Sequence, residues 1–137
     1  MIHLKFNSKF YDKIKNREKV ITSRPTKKNL EKGDIFKACF VEEDGSIIQS
    51  NYLVCIKEWS SSISSILEYE YKEEGYKTSY EMFYDLTKFY GYDFMKEALA
   101  NKYNSDNDWY CYKFMCINNL SDLYRDKMEG FFFEEDE

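Results

Sequence analysis

Residues 16–24 read Asn16-Arg17-Glu18-Lys19-Val20-Ile21-Thr22-Ser23-Arg24, and they set a lysine, a threonine and an arginine where a predicted helix gives way to a predicted strand. In an extended chain, residues two apart share a face, so Thr22 and Arg24 point one way. Lys19 sits at the junction, and its aliphatic stem can fold over the same side. A hydroxyl, an ammonium and a guanidinium then converge on one concavity, which suits a ligand carrying carbonyl or phosphate oxygens. The plainer reading, a basic strand edge that serves solubility, stands beside it.

Upstream, His3-Leu4-Lys5-Phe6 predicts a short strand, and Asn7 or Ser8 caps a helix over residues 9–16 with Phe10 and Ile14 on one face. Downstream, Pro25 ends regular pairing, and Lys32-Gly33-Asp34 is a turn signal. Residues 35–41 and 47–59 predict two strands joined by Glu42-Glu43-Asp44-Gly45-Ser46, with Asp-Gly at the hairpin tip. The serine-rich run at 60–65 opens a helix over 62–71 that turns Ile63, Ile66 and Leu67 inward, and Lys72-Glu73-Glu74-Gly75-Tyr76 breaks it. Thr78-Ser79-Tyr80-Glu81 is a capping box. The helix behind it, 79–90, carries Met82, Phe83, Leu86, Phe89 and Tyr90 on one apolar stripe, and Gly91 stops it. Asp93 is expected to cap a helix over 94–103. Residues 109–115 form an aromatic-rich closing strand, and a last helix over 120–128 precedes Phe131-Phe132-Phe133 and an acidic end. Strand, helix, strands, helices, strand is the order of an α+β domain whose sheet curls into a small mixed β-barrel with the helices packed outside.

A chain of 137 residues suffices for one domain with a real core, and an aromatic share of 19 %, carried by 13 Tyr and 11 Phe, excludes a disordered chain. The four cysteines form no C-x-x-C pair and have no histidine nearby, so neither metal nor cofactor is expected. Without a leader or an apolar run of about 18 residues, the chain is expected to be cytoplasmic, with its thiols buried and reduced. Charge is divided: residues 1–38 hold 11 Lys/Arg against 4 Asp/Glu, and residues 39–137 hold 9 against 21, for a net −5. A general polyanion clamp would be basic throughout. A local anion-binding face beside an acidic body fits better.

Together these pieces resemble the ASCH family, a branch of the PUA-like fold associated with RNA and nucleotides. The family signature, Gly-x-Lys-x-x-Thr-x-Arg, is matched at Lys19, Thr22 and Arg24, with Arg17 where glycine is usual. The turn Lys32-Gly33-Asp34 follows. The family's Glu-Gly-Phe segment and acidic-aromatic helix start are similar to Glu74-Gly75-Tyr76 with Ser79, Glu81 and Phe83, and its closing strand to residues 109–114. The resemblance spans residues 3–116 and assigns 1–116 to the domain. It leaves 117–137 outside as a helix and an acidic aromatic tail, and the connection 91–108 is longer than in many members.

One branch of that family resembles an amidohydrolase acting on N4-acetylcytidine; carried over, its working residues are Lys19, Thr22 and Glu74. Other members are treated as RNA-binding or nuclease-like, so the fold does not decide the activity. Amide hydrolysis needs a nucleophile, a proton acceptor and positive charge at the oxyanion. Thr22 would supply the hydroxyl and Lys19 the base, its pKa depressed by burial or by Arg24 and Arg17. Glu74 would orient the lysine or water, or protonate the leaving amine. Arg24 and Arg17 would hold substrate, and Tyr76 would stack on a base. Each has a bland counterpart: Thr22 is at home in a strand, Glu74 lies in an acidic loop, and most aromatics must be core, Trp59 and Trp109 among them. The partners expected are a nucleoside, a nucleotide or single-stranded RNA, with no membrane. The rival readings are a non-catalytic module that binds RNA or a nucleotide, and a protein-interaction domain that uses its acidic body and residues 117–137.

Overall fold

Alternating burial makes a strand of His3–Asn7 (β1): Leu4 and Phe6 face inward while their neighbours are exposed. In the computed structural model, which describes residues 1–101 and 103–117, the Asn7 side chain then accepts from Lys9 N–H at 3.0 Å and starts a 3₁₀ turn, Ser8–Phe10. That turn runs on into a short helix, Tyr11–Lys15 (α1), so the single helix expected over 9–16 is split, with Phe10 and Ile14 both buried. Strand β2 is Ile21–Arg24, β3 is Ile35–Val41 and β4 is Ile47–Ser61. Gly45 turns the β3–β4 hairpin at a φ of +85°. Helix α2, Ile63–Tyr69, is capped by Ser62 and buries Ile63, Ile66 and Leu67. Helix α3, Ser79–Tyr90, starts on Thr78, whose Oγ1 accepts from Glu81 N–H at 3.0 Å. Helix α4, Tyr92–Ala100, a second 3₁₀ turn, Ser105–Asn107, and strand β5, Trp109–Cys116, complete the described elements.

The strands lie in the order β1-β3-β4-β5-β2, with β1 parallel to β3 and every other pair antiparallel. In a flat sheet β1 and β5 would stand about 14 Å apart and β1 and β2 about 19 Å, at roughly 4.8 Å per strand. Instead the rings of Phe6 on β1 and Phe114 on β5 meet with centroids 5.9 Å apart. The Arg24 guanidinium at the end of β2 donates to the Lys5 carbonyl of β1 at 2.8 Å. The sheet is therefore rolled into a half-barrel whose two edges almost meet, and the α+β architecture expected from the sequence is the one observed.

Three expectations change. Helix α4 begins immediately after Gly91, two residues early, so Asp93 lies inside its first turn instead of capping it. Phe89, placed on the apolar stripe of α3, is 77 % exposed, because at that end of the helix it is Tyr90 that turns inward, its ring centroid 5.4 Å from that of Trp109. Trp59 is only half-buried, whereas Trp109 is core. The helix expected over 120–128 and the Phe131–133 tail lie outside the described residues.

Candidate functional site

Lys19 is delivered by the turn that joins α1 to β2. Arg17 there adopts a φ of +62°, the left-handed conformation that costs a residue with a Cβ roughly 1–2 kcal/mol. This is the position at which the ASCH signature carries glycine, and the backbone needs what a glycine would give. Glu18 and Lys19 N–H groups both turn back onto the Lys13 carbonyl, at 2.8 and 3.0 Å.

The segment after α2 is pinned to the same turn from 55 residues away. Val20 and Ile21 N–H groups share the Glu73 carbonyl at 2.8 and 3.1 Å, and Lys13 Nζ donates to the Gly75 carbonyl at 2.7 Å. Gly75 is required twice over. Its φ is +98°, and a Cβ there would stand 3.1 Å from Lys19 Cβ and 3.2 Å from Phe10 Cε1.

This packing brings Lys19 and Glu74 into contact with little of either exposed, their side chains 4 % and 5 % accessible. Lys19 Nζ donates to Glu74 Oε1 at 3.1 Å, to the Glu74 carbonyl at 2.7 Å and to the Ile21 carbonyl at 2.9 Å, so its three protons are all engaged. It also lies 4.7 Å above the Phe10 ring. Burial pulls the Lys19 pKa below its ordinary value, opposed by the Glu74 charge and aided by Arg24 and Lys13. The second carboxylate oxygen, Glu74 Oε2, accepts from Ser23 Oγ. Cys111 Sγ lies 3.4 Å from that hydroxyl, and burial pushes its thiol up to about 12.

Thr22 and Arg24 meet each other, as strand alternation predicts: Arg24 Nε donates to Thr22 Oγ1 at 3.1 Å. The guanidinium also lies 5.1 Å over the Phe6 ring. The Tyr76 hydroxyl donates to Asp85 Oδ2 at 2.7 Å and its ring meets Phe10 edge-on, so burial and the Asp85 charge both raise its pKa.

These groups line a cavity of about 620 Å³ at the seam between β1 and β2. Lys19, Ser23 and Glu74 form one side, Thr22 and Arg24 the adjoining edge, and Phe6, Phe10, Tyr76 and Tyr90 an aromatic wall. Glu42, Glu43 and Asp85 stand against Lys5 and Lys88 around them, so the wall is of mixed charge. Of the six residues picked from the sequence, Lys19, Thr22, Arg24, Glu74 and Tyr76 reach this cavity, and Arg17 stays exposed outside its wall. Ser23 and Phe10 belong to the site and were not picked. The available signal was the Glu-Gly segment, whose carboxylate had to enter from one face of β2 and meets the middle residue of Thr22-Ser23-Arg24 there. Among the described residues, no group of three or more His, Cys, Asp or Glu is placed to hold a metal ion, and no helix is long and apolar enough to cross a membrane.

An α+β half-barrel with a polar cavity at its open seam is the class that fold and geometry define. No family model and no curated protein matches the chain. Among solved structures it is similar to hypothetical protein PH0355, with a TM-score of 0.56 and 16 % identity, over 84 % of this chain and 97 % of that one. It is also similar to an ASCH domain from Lactobacillus crispatus JV V101, with a TM-score of 0.49 and 12 % identity, over 77 % of this chain and 68 % of the other. At such identities a likeness speaks of fold and transfers no activity.

Proposed function

We propose that this chain is an ASCH-domain protein that binds a nucleoside, a nucleotide or a base of single-stranded RNA in the seam cavity, and that it hydrolyses the amide of an N4-acylated cytidine there. The observation that carries this reading is the buried Lys19–Glu74 pair set in the wall of an aromatic-sided cavity of about 620 Å³. Small-molecule sites commonly measure about 300–1,000 Å³ and combine apolar walls with a few convergent polar groups. Flat heteroaromatic bases suit such a wall. Two polar residues on the strand edge, Thr22 and Arg24, are placed to read carbonyl or phosphate oxygens.

Hydrolysis fits the pair because a carboxylate and an ammonium, held together in the cavity wall, can accept a proton and offset developing negative charge at one place. With all three Lys19 protons donated, Glu74 is the better proton acceptor and Lys19 the stabilising charge. Incubating the protein with modified nucleosides and short RNAs, followed by mass analysis, tests the reading. Loss of one acyl group from an N4-acylated cytidine is the expected change. Lys19→Ala and Glu74→Gln should abolish it in protein whose circular dichroism still shows the native fold, and undiminished turnover in either variant would end the hydrolase reading.

Binding without cleavage is the second reading, favoured by Arg24, whose guanidinium bridges the two sheet edges beside the cavity. It predicts salt-sensitive nucleotide binding that is lost in Arg24→Ala. Affinity indifferent to salt would count against it.

A further inference from the structure

We propose that Ser23 is the reacting hydroxyl of this site. The inference rests on the hydrolase reading above and departs from the signature, which points to Thr22. Ser23 Oγ is hydrogen-bonded to Glu74 Oε2, and Glu74 Oε1 to Lys19 Nζ, so hydroxyl, carboxylate and ammonium form one continuous row along the cavity wall. A hydroxyl that donates to a buried carboxylate already has its proton acceptor in contact, the geometry a weak oxygen nucleophile needs. Thr22 Oγ1 stands differently: it accepts from the cationic Arg24 Nε, which occupies a lone pair and draws charge from the oxygen. The two residues are adjacent on β2, and alternation turns them to opposite faces. Only Ser23 faces the carboxylate.

In the first step Ser23 Oγ bonds to the acyl carbon while its proton passes to Glu74 Oε2. The carbon–nitrogen bond breaks, and the same proton leaves Glu74 for the departing exocyclic amine. The product is a free amine and a Ser23 acyl ester. In the second step water attacks the ester, gives its proton to Glu74, and the carboxylic acid departs as Ser23 recovers its proton. The Lys19 charge, fixed against Glu74, offsets the negative charge that forms in both steps. No other reactant is consumed.

The test uses the full chain with N4-acetylcytidine, quenched in acid during turnover and read by intact mass and peptide mapping. Fragmentation of the peptide that carries both Thr22 and Ser23 locates the group, and the expected result is one acetyl on Ser23 itself. Ser23→Ala should lose this adduct and lower kcat by at least about 10³-fold with KM within about threefold, the mark of an interaction made in the transition state. Thr22→Val, which deprives Arg24 of its acceptor, should raise KM and still form the adduct. An adduct on Thr22, or turnover retained in Ser23→Ala, would overturn the assignment while leaving the hydrolase reading intact. A wild-type protein that releases no acetate would overturn both. Because trapping is performed on the wild-type chain, the assignment is decided even where Ser23→Ala fails to fold.

Discussion

Replacing Lys19 with methionine measures what the buried pair does for the fold. Methionine keeps the length of the stem and its contact with Phe10 but removes the charge. Glu74 then retains the Ser23 donor at Oε2 and loses the one at Oε1, and the Ile21 and Glu74 carbonyls lose theirs. Removing one member of a buried ion pair costs about 3–5 kcal/mol, chiefly because the survivor keeps its charge in a poor medium. With a urea slope near 2 kcal/mol per molar, Lys19→Met should lower the unfolding midpoint by roughly 2 M. Lys19→Met/Glu74→Leu removes the stranded carboxylate too, and buried pairs exchanged for apolar groups are often neutral or better. The double variant should therefore be more stable than Lys19→Met alone, with about 2 kcal/mol of coupling between the positions. The pH dependence follows from burial. The folded-state pKa of Lys19 is below 10.5, so the unfolded chain holds more protons in the interval up to that value, and folding gains stability as pH rises through it. The advantage of wild type over Lys19→Met should widen as pH approaches 10.5. A midpoint shift under about 0.5 M in Lys19→Met, or a double variant as weak as the sum of the singles, would refute the reasoning.

Gly75→Ala should cost about 2–4 kcal/mol, from a left-handed backbone and contacts with Lys19 and Phe10; a calorimetric Tm about 10 °C lower is expected, and an unchanged Tm would show that the turn yields freely. Glu70 has a buried carboxylate oxygen with no hydrogen-bond partner among the described residues, and burial, then Glu74 and Glu73, raise its pKa. Its contribution is full below 4.5 and is lost as pH rises through the folded value, so Glu70→Gln should be more stable than wild type at pH 8, with the gap closing on acidification in urea titrations. Cys111, raised to about 12 and fully buried, should resist alkylation in native protein at pH 8 and react once denaturant is added; rapid labelling of the folded chain would contradict its placement.

The strands, the Asp-Gly hairpin and the Thr78 cap were legible because each is written locally, in alternation or in residues that the turn itself demands. The site was legible only in part, and β2 shows why. Ile21, Thr22 and Ser23 are all buried, so this four-residue strand carries no polar-out, apolar-in pattern to say which hydroxyl faces what. The answer depends on Glu74, whose approach is fixed by Gly75 and by the Glu73 carbonyl, and no local pattern connects positions so far apart. Arg17 illustrates the converse: a residue type that looked like a ligand contact holds a backbone conformation and remains outside the cavity.

The same contacts explain why there is a cavity at all. On the edge of β2 away from β5, Ile21 N–H goes to the Glu73 carbonyl and the Ile21 carbonyl accepts from Lys19 Nζ. Backbone groups that would pair with β1 and close the barrel are already satisfied at that point. Farther along, the Arg24 side chain reaches the Lys5 carbonyl in place of a backbone ladder. The edges are thus held at side-chain distance, and the space between them is lined by the groups that hold them apart. Lys19 is at once the buried cation of the cavity wall and a stopper on the strand edge, which ties the existence of the pocket to that one side chain.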